Sequence, residues 1–403
     1  MVYDYGPSYN QIHLENGDVL HNEGYRGSGM VIAQLDIGFL NVDINTDFSN
    51  LWANNQILGT RDFVHPGGDV FREDNHGAAV FSTMACNNPG DLIGTAPEAS
   101  YWLIRTDDVS TENIVEEYYW VAGAEMADSV GADIISSSLA YTTFNNNWMN
   151  HTCADMNGYT NPSTRGANIA AAKGIAISIS AGNSGGSGWT CVSSPSDATD
   201  AFCVAAVDSS GHYASFSSIG TVNGAYVKPD IATMGVHCRI ASPDNSFGFS
   251  SGTSFSAPIN AGLMACLWQA RPDIDQVHLR LAIEESASQY NHPDSLLGYG
   301  IPDYQKAMLI LGAGVFARSS GLRAYPNPFR DDFTIVFGNA VSGETEISLL
   351  TLTGSCILKT SKTVRAGGEE ILLFSNLAYL VPGFYLLKIS DGNTLEYISL
   401  VKI

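Results

Sequence analysis

Positive charge is scarce in this 403-residue chain. Only 19 Lys and Arg stand against 41 Asp and Glu, which gives a net charge of −22. Such a surface repels phosphate backbones and anionic headgroups, so nucleic-acid binding is disfavoured. No apolar run approaches the length of a membrane-spanning helix. The first residues also lack a positively charged region followed by an apolar stretch, so we expect any signal peptide or propeptide to lie outside this sequence.

Cysteine pairs at metal-ligand spacing are absent too. The seven cysteines show neither a Cys-x-x-Cys pair nor a cluster with histidine, which disfavours a structural zinc site. Disulfides are the better interpretation for some of them. Two pairings are plausible: Cys153 with Cys191, both in polar loops, and Cys203 with Cys238, both in short strand-like runs. The cysteines expected to stay unpaired are Cys86, Cys266 and Cys356.

Short apolar runs alternate with helix-like segments between residues 29 and 311. The runs at 30–35, 101–104, 133–137, 175–180 and 202–207 are apolar without alternation, as in the buried strands of a parallel sheet. The segments with helical spacing are 77–86, 114–130, 165–173, 254–270 and 304–311. This repeated order of strand and helix predicts an α/β fold with a mostly parallel central sheet.

The character of the chain changes after residue 312. Gly and Ser are frequent at 313–321, which we interpret as a linker. Only strand-like runs follow, at 333–337, 346–352, 371–374, 384–390 and 396–401. The sequence therefore predicts two domains, 1–312 and 322–403, and the second is expected to be a small all-β sandwich of antiparallel strands.

Four polar residues occupy local contexts that suit catalysis. Asp36 ends a buried strand, and His76 begins an Ala-rich helix beside a glycine. Ser254 opens a later helix, whose dipole stabilises developing negative charge. Asn183 follows a strand between glycines, where its amide can donate to an oxyanion. Each residue alone has a simpler interpretation as a turn residue or a helix cap, so only the conjunction carries the argument.

In chain order, Asp36, His76, Asn183 and Ser254 resemble the subtilisin-like serine proteases, and further matching segments extend from about residue 24 to residue 307. The resemblance implies a subtilisin-like three-layer fold and a catalytic triad. Ser254 would attack a peptide carbonyl, His76 would carry the proton, and Asp36 would hold the imidazole. Asn183 and the Ser254 amide would bind the oxyanion. The positions implied to pair with substrate are Ser138, Leu139, Ala140, Ser180, Ala181 and Gly182.

Three positions depart from the family's usual pattern. Ile37 follows Asp36 where Ser or Thr is usual, Ala78 stands where Thr is common, and Ala140 replaces a glycine. None of these changes removes a nucleophile or a proton carrier, so we expect an active enzyme in which the tuning of Asp36 differs.

No cofactor is required by the implied chemistry, and the sequence assigns no metal ligands. The resemblance is compatible with structural calcium, because subtilases often bind this ion through loops. The candidate oxygen donors are Asp43, Asp47 and Asp91.

The C-terminal region has a resemblance of its own. The segments 325–329, 349–354 and 383–389 and the last three residues look like the C-terminal sorting domain of the type IX secretion system. This resemblance implies a source among Bacteroidota, export across the outer membrane, and a secreted or surface-attached product with the secretion machinery as a partner. An accessory β module that binds carbohydrate or protein is the alternative, because such sandwiches share strand patterns.

Other functions compete with a secreted serine endopeptidase that acts on proteins or peptides. A catalytically inactive subtilase-like surface binding protein would keep the fold, although the site residues are intact. An α/β-hydrolase esterase would need Gly-x-Ser-x-Gly and the chain order Ser, Asp, His, whereas the serine comes last here. A surface adhesin would keep its function when Ser254 is replaced. We expect a monomer, and the sequence leaves the preferred cleavage site open.

Overall fold

The chain divides into two compact units, Met1–Ala307 and Met308–Ile403. The computed structural model describes residues 3–224, 226–312, 323–325, 329–337, 342–351, 355–365, 370–381, 383–392 and 395–402. The predicted linker 313–321 lies outside the described residues, as do positions 326–328, 352–354 and 403 of the sorting segments.

The first unit is built from helices and short strands in alternation. Its helices are α1 Asn10–His13, α2 Gly17–Asn22, α3 Ser49–Ala53, α4 His76–Ala85, α5 Val115–Ser129, α6 Pro162–Ala172, α7 Thr253–Ala270, α8 Gln276–Ser286 and α9 Tyr304–Ile310. Its strands are β1 Val31–Asp36, β2 Ile57–Asp62, β3 Asn87–Asn88, β4 Leu92–Ile93, β5 Ser100–Arg105, β6 Ile134–Ser137, β7 Ala176–Ser180, β8 Phe202–Val207, β9 Thr221–Asn223, β10 Tyr226–Lys228, β11 Ile231–Met234, β12 Cys238–Ala241 and β13 Phe247–Ser250.

A seven-stranded sheet in the order β11-β8-β7-β6-β1-β5-β2 forms the centre of this unit, and every neighbouring pair is parallel. Its inner strands are apolar throughout because helices cover both faces. The predicted α/β class and parallel sheet are confirmed. Because β1 lies between β5 and β6 and runs parallel to both, polar residues at the carboxyl ends of these strands meet at one edge.

The two faces of the sheet carry different side chains. Ile135, Ile177 and Ile179 pack against α5 and α6 in one apolar cluster. Ser178, on the opposite face, donates to the carbonyl of Ala257 in α7 at 2.8 Å. Small side chains on this face let the buried helix α7 approach the sheet closely, and α7 carries Ser254 at its start.

The second unit contains two antiparallel sheets, β14-β15-β18 and β17-β16-β19-β20. Its strands are β14 Arg323–Tyr325, β15 Phe333–Phe337, β16 Gly343–Thr351, β17 Cys356–Val364, β18 Glu370–Phe374, β19 Gly383–Ser390 and β20 Leu395–Lys402. Alternate residues of both sheets, such as Phe333, Phe337, Leu349 and Leu387, share one apolar cluster. The expected all-β sandwich is confirmed.

One of the two predicted disulfides is present. Cys153 is bonded to Cys191 and links the loop before α6 to the loop after β7. The second pairing is wrong, because Cys203 and Cys238 are both free. Cys203 packs into a small apolar cluster beside β7, whereas the Cys238 thiol lies against the carbonyl of Met234. Cys203 lies on β8 of the central sheet and Cys238 on β12 of a separate two-stranded sheet, so burial in strand-like runs did not bring the two thiols together.

Candidate active site

The carboxyl end of β1 and the start of α4 bring Asp36 and His76 together. Nδ1 of His76 donates to Oδ1 of Asp36 at 2.7 Å. This short approach depends on Gly77, since a Cβ there would lie 2.2 Å from the Gly38 carbonyl oxygen and 2.9 Å from Cβ of Asp36. The Asp36 carboxylate is fully buried, while about a third of the imidazole is exposed, so the outer edge of the ring faces solvent.

The charges around the imidazole favour its protonated form. Burial disfavours the imidazolium, but the charge and hydrogen bond of Asp36, with the charges of Asp74 and Asp107, outweigh burial and raise the pKa of His76. The backbone amide of Ile37 donates to Oδ1 of Asp36 at 2.9 Å. Because its own side chain carries no donor, Ile37 supports the carboxylate only through the backbone.

Gln34 is a site residue that sequence reasoning missed. Its amide nitrogen donates to Oδ2 of Asp36 at 3.2 Å and to the carbonyl of Gly77 at 2.9 Å, and the residue is fully buried. It therefore ties the carboxylate at the end of β1 to the first turn of α4. The available clue was a polar residue inside an otherwise apolar strand, two positions before Asp36 on the same face.

The start of α7 positions Ser254 and leaves polar groups free. Gly252 precedes the helix in an extended conformation. Pro258 has no amide hydrogen to donate to the carbonyl of Ser254 one turn earlier, and Oγ of Ser138 donates to that carbonyl instead, at 2.9 Å. The backbone amide of Ser254 has no hydrogen-bond partner among the residues that the structure describes, as is common in a first helical turn.

Asn183 lies beside the same helix start. Its Oδ1 accepts from the backbone amide and the hydroxyl of Thr253, both at 2.9 Å. These bonds orient the side-chain amide, and Nδ2 donates to no protein group in the described part of the chain. Asn183 Nδ2 and the Ser254 amide are therefore two unused donors at the N-terminus of α7.

The structure thus forms two groups from the predicted catalytic residues: Asp36 with His76, and Asn183 with Ser254. Helices α4 and α7, which carry His76 and Ser254, pack against each other. Among the described residues no hydrogen bond joins the Ser254 hydroxyl to His76. Such bonds are often long before substrate binds, so their absence does not separate the two groups chemically.

The six predicted substrate-pairing positions flank Ser254 on two sides. Ser138 contacts Ser254 directly, and the Gly182 amide donates to the hydroxyl of Thr253 at 3.2 Å. The side chains of Leu139 and Ala181 point into apolar clusters. Ser180 is buried and Ala140 is exposed. These segments can therefore offer mainly backbone groups to a bound peptide.

Arg105 organises a second polar cluster beyond Asp36. Its guanidinium lies 3.1 Å from Asp62, 3.0 Å from Nδ1 of His65 and 3.4 Å from Glu73, and it donates to the Ile37 carbonyl at 3.0 Å. Within the described ranges, Asp62, His65 and Glu73 are the only side chains close enough to share one metal ion. Since Arg105 already supplies the positive charge there, this cluster does not fit a cation.

The three predicted calcium donors differ in their partners. Asp43 is paired with Arg72 at 2.6 Å, and Asp91 with Arg239 at 3.0 Å. Asp47 is buried, and one of its oxygens has no partner. Burial, with the charges of Asp91 and Asp244, raises the pKa of Asp47. Structural calcium at these residues stays a prediction.

Several known proteins are similar to this chain in sequence or in fold. Subtilisin NAT of Bacillus subtilis subsp. natto is 29% identical over 292 residues, which cover 72% of this chain and 68% of that protein. Subtilisin of Bacillus pumilus is 28% identical over 72% of this chain and 94% of its own length. Solved structures of MycP1, from the ESX-1 type VII secretion system, and of the prenylagaramide maturation protease PagA share the fold. The MycP1 structure has a TM-score of 0.59 and 19% identity, and the match covers 76% of this chain and 87% of MycP1. The PagA structure has a TM-score of 0.58 and 20% identity, and the match covers 73% of this chain and 97% of PagA.

The fold and the relatives place this chain in the class of subtilisin-like proteins. Residues 27–300, which are more than half of the chain, match the subtilase family. The chain therefore belongs to that family and is a serine endopeptidase. Residues 323–402 match the secretion system C-terminal sorting domain, which identifies the second unit as a type IX sorting domain. None of the described helices has the length and apolar character needed to cross a membrane.

Proposed function

We propose that the chain cleaves peptide bonds through Ser254, His76 and Asp36. Oγ of Ser254 attacks the carbonyl carbon and passes its proton to His76. The imidazolium returns that proton to the departing amine, and water then hydrolyses the acyl-enzyme by the same route. The observation that carries the proposal is the 2.7 Å bond from Nδ1 of His76 to Asp36, because it fixes the tautomer that leaves Nε2 free to act as a base.

The oxyanion of the tetrahedral intermediate would be held by Asn183 Nδ2 and the Ser254 amide. Neither donor has a protein partner among the described residues, and both lie at the positive end of the α7 dipole. Replacement of Asn183 by Ala should lower kcat by about a hundredfold or more, the cost seen when one such donor is removed from a subtilisin. The exposed backbone around Ala140 and Gly182 would pair with the extended substrate on either side of Ser254.

Active-site labelling tests this proposal. A fluorophosphonate probe should label the folded chain, and casein should be hydrolysed in parallel. Ser254→Ala should abolish both, whereas Ser210→Ala, at an exposed turn, should change neither. A folded chain that neither labels nor hydrolyses casein would instead be a subtilase-like binding protein.

We further propose that the C-terminal unit directs the chain across the outer membrane through the type IX machinery, leaving it secreted or attached to the cell surface. The match at residues 323–402 supports this proposal. A reporter fused to residues 313–403 should appear outside cells that carry the machinery and should stay in the periplasm of cells that lack it. Equal release from both strains would contradict the proposal.

A further inference from the structure

Arg105 lies next to Asp36 at the edge of the sheet where the proposed catalytic residues meet. Asp36, Arg105 and Asp62 are the last residues of β1, β5 and β2. Parallel pairing places Arg105 opposite Asp36 on one side and opposite Asp62 on the other. Residues in register on neighbouring strands point to the same face of a sheet. The side chain of Arg105 is therefore on the face that carries the Asp36 carboxylate.

The guanidinium of Arg105 is almost completely buried, with 3% of the side chain exposed. Its Nη1 donates to Oδ2 of Asp62 at 3.1 Å, and its Nη2 lies 3.4 Å from Glu73 and 3.7 Å from Asp108. A buried charge of this kind is tolerated only when it is paired and hydrogen-bonded. One side chain thus joins the end of β2, the segment before α4 and the loop after β5.

The contact that concerns the catalytic acid runs through Ile37. Nε of Arg105 donates to the carbonyl oxygen of Ile37 at 3.0 Å, and the amide of Ile37 donates to Oδ1 of Asp36 at 2.9 Å. Oδ1 is also the oxygen that accepts from Nδ1 of His76 at 2.7 Å. Arg105 therefore holds one end of a residue whose other end supports the oxygen bonded to the imidazole.

The turn after β1 packs directly against the segment that leads to His76. A Cβ at Gly38 would lie 2.5 Å from the amide nitrogen of Asp74 and 2.7 Å from Cβ of Glu73. Arg105 contacts both sides of this junction, because it donates to the Ile37 carbonyl on one side and lies beside Glu73 on the other. The guanidinium is therefore positioned to fix the distance between the turn and the start of α4.

Lysine cannot make the same set of contacts. A guanidinium presents Nε, Nη1 and Nη2 in fixed directions, and Arg105 uses them on Ile37, Asp62 and Glu73. An ammonium group carries the same charge without this planar fork. Replacement of Arg105 by Lys therefore keeps the charge beside Asp62 and removes the geometry.

We propose that Arg105 is a positioning residue for the peptidase reaction, because it holds the Ile37 backbone that keeps Oδ1 of Asp36 in place for His76. This inference rests on the proposed function and adds a residue to its machinery. A side chain that is 3% exposed cannot contact substrate, so its loss should lower kcat and leave KM nearly unchanged. The pKa of His76 should also fall, because the charge and hydrogen bond of Asp36 raise it.

The test compares the full chain with Arg105→Lys and with Arg26→Lys as a matched control. Nε of Arg26 donates to the carbonyl of His21 at 3.3 Å, and its Nη1 donates to Glu98 at 3.1 Å. Arg26 precedes β1, so it lies near the end of this strand opposite Asp36. Hydrolysis of a neutral peptide between about pH 5 and about pH 9 gives kcat, KM and the pH profile of kcat/KM. Titration with the fluorophosphonate probe gives the concentration of active enzyme.

In Arg105→Lys, kcat per titrated site should fall about tenfold or more, and KM should stay within about twofold of the parent. The acid limb of the pH profile should move to lower pH, since this limb reports the imidazole of the free enzyme. Arg26→Lys should match the parent in all three respects. Lost stability alone would reduce the number of titrated sites and leave the limb in place.

The other charged groups near these side chains are the same in the parent and in both Lys variants. The groups whose charges act on the imidazole, or that lie against the guanidinium, are Asp36, Asp62, His65, Glu73, Asp74, Asp107 and Asp108. The charge at position 105 is also kept in Arg105→Lys. A moved acid limb therefore reports a changed contact between Asp36 and His76, and not a changed number of charges.

A second variant serves if Arg105→Lys yields no titratable enzyme. Arg105→Gln combined with Asp62→Asn removes both members of the buried pair, so that no uncompensated charge is left inside the fold. Its acid limb should move in the same direction as that expected for Arg105→Lys.

The outcomes separate the inference from the function on which it rests. An acid limb that stays with the parent in the active variant at position 105 would overturn the inference, even at a lower kcat, because Asp36 would then hold His76 as before. An equal shift in Arg26→Lys would overturn it too. Absence of any Ser254-dependent cleavage by the parent would instead overturn the proposed function.

Discussion

At the scale of single residues, the carboxylate of Asp36 accepts a hydrogen bond from the side chain of Gln34. The hydroxyl that commonly follows the catalytic aspartate is missing because position 37 is Ile, and the only side-chain donor to Oδ2 of Asp36 among the described residues is Gln34. The same amide nitrogen also reaches Gly77. One buried side chain thus orients the Asp36 carboxylate and links it to α4, the helix that carries His76.

Replacement of Gln34 by Leu should therefore lower kcat about tenfold with little change in KM, because Gln34 contacts the carboxylate and not the substrate. Steady-state kinetics on a neutral peptide would show this split. Gln289→Leu removes an amide–carbonyl bond to Gly298 away from the site and controls for lost stability. An unchanged kcat in Gln34→Leu would show that backbone donors alone suffice to hold Asp36.

Glu15 gives a prediction about stability and pH. It is fully buried, accepts one bond from the amide of Met234 at 3.0 Å, and burial raises its pKa to about 8. Because the folded pKa lies above the unfolded value of 4.5, the stability that protonated Glu15 contributes is complete below pH 4.5. It is lost as pH rises through about 8.

Glu15→Gln should therefore be more stable than the parent at pH 9, by on the order of 3 kcal/mol, and should show a smaller decline of stability between pH 5 and pH 9. Urea unfolding of both chains in a Ser254→Ala background, which prevents autolysis, measures the difference. Glu125→Gln should have no comparable effect. An equal pH dependence in parent and Glu15→Gln would mean that Glu15 stays ionised in the fold.

Single residues also mark the limit of what the sequence predicts. Asp36, His76, Asn183 and Ser254 could be predicted as site residues because each stands in a short local pattern at the end of an element. Gln34 belongs to no such pattern. Its contacts arise because α4 packs against the end of β1, which brings the carbonyl of Gly77 to its side-chain amide. Local periodicity does not reveal tertiary contacts of this kind.

At the scale of elements, the start of α4 is fixed by close packing against the turn after β1. In an ordinary helix, Gly→Ala adds about 0.5–1 kcal/mol of stability. At Gly77 the added methyl would meet the Gly38 carbonyl oxygen at 2.2 Å, so α4 would have to move away from Asp36.

Gly77→Ala should therefore lower kcat/KM by about a hundredfold, the scale expected for a displacement of about 1 Å, and should also lower the melting temperature. Peptide hydrolysis and thermal unfolding measure the two effects. Gly188→Ala, where no atom lies within 4 Å of the added carbon, should alter neither. Full activity of Gly77→Ala would show that the bond between Asp36 and His76 tolerates a shift of α4.

The elements that sequence patterns missed share a physical character. Residues 359–363 of strand β17 are all polar although exposed and half-buried positions alternate there, so the strand lacks the apolar alternation by which a strand is recognised. Strand β2 lies at an edge of the central sheet and contains Gly59, which faces the ring of Trp102. The inner strands β1, β6, β7 and β8 were located to within about two residues because burial on both faces makes them apolar throughout.

At the scale of the whole molecule, the chain consists of a peptidase unit and a separate sorting unit with its own apolar cluster. Each core is complete without residues of the other cluster, and domains of this kind usually fold alone. The boundary between the units falls within α9, so a shortened chain should keep that helix whole.

A chain of residues 1–312 should hydrolyse neutral peptides with a kcat/KM within about twofold of the full chain. Purified samples of both lengths, standardised by active-site titration with the fluorophosphonate probe, provide the comparison. A large loss of activity with retained labelling would show that the second unit takes part in catalysis.

The burial of four thiols in the peptidase unit determines how these cysteines respond to an oxidising environment. Cys86, Cys203, Cys238 and Cys266 are all free and fully buried, and burial raises the pKa of each. Thiol–disulfide exchange needs an accessible thiolate, so these four thiols are protected from exchange in the folded unit. The thiols are accessible only before folding is complete, when the same four cysteines compete with Cys153 and Cys191 for disulfide formation.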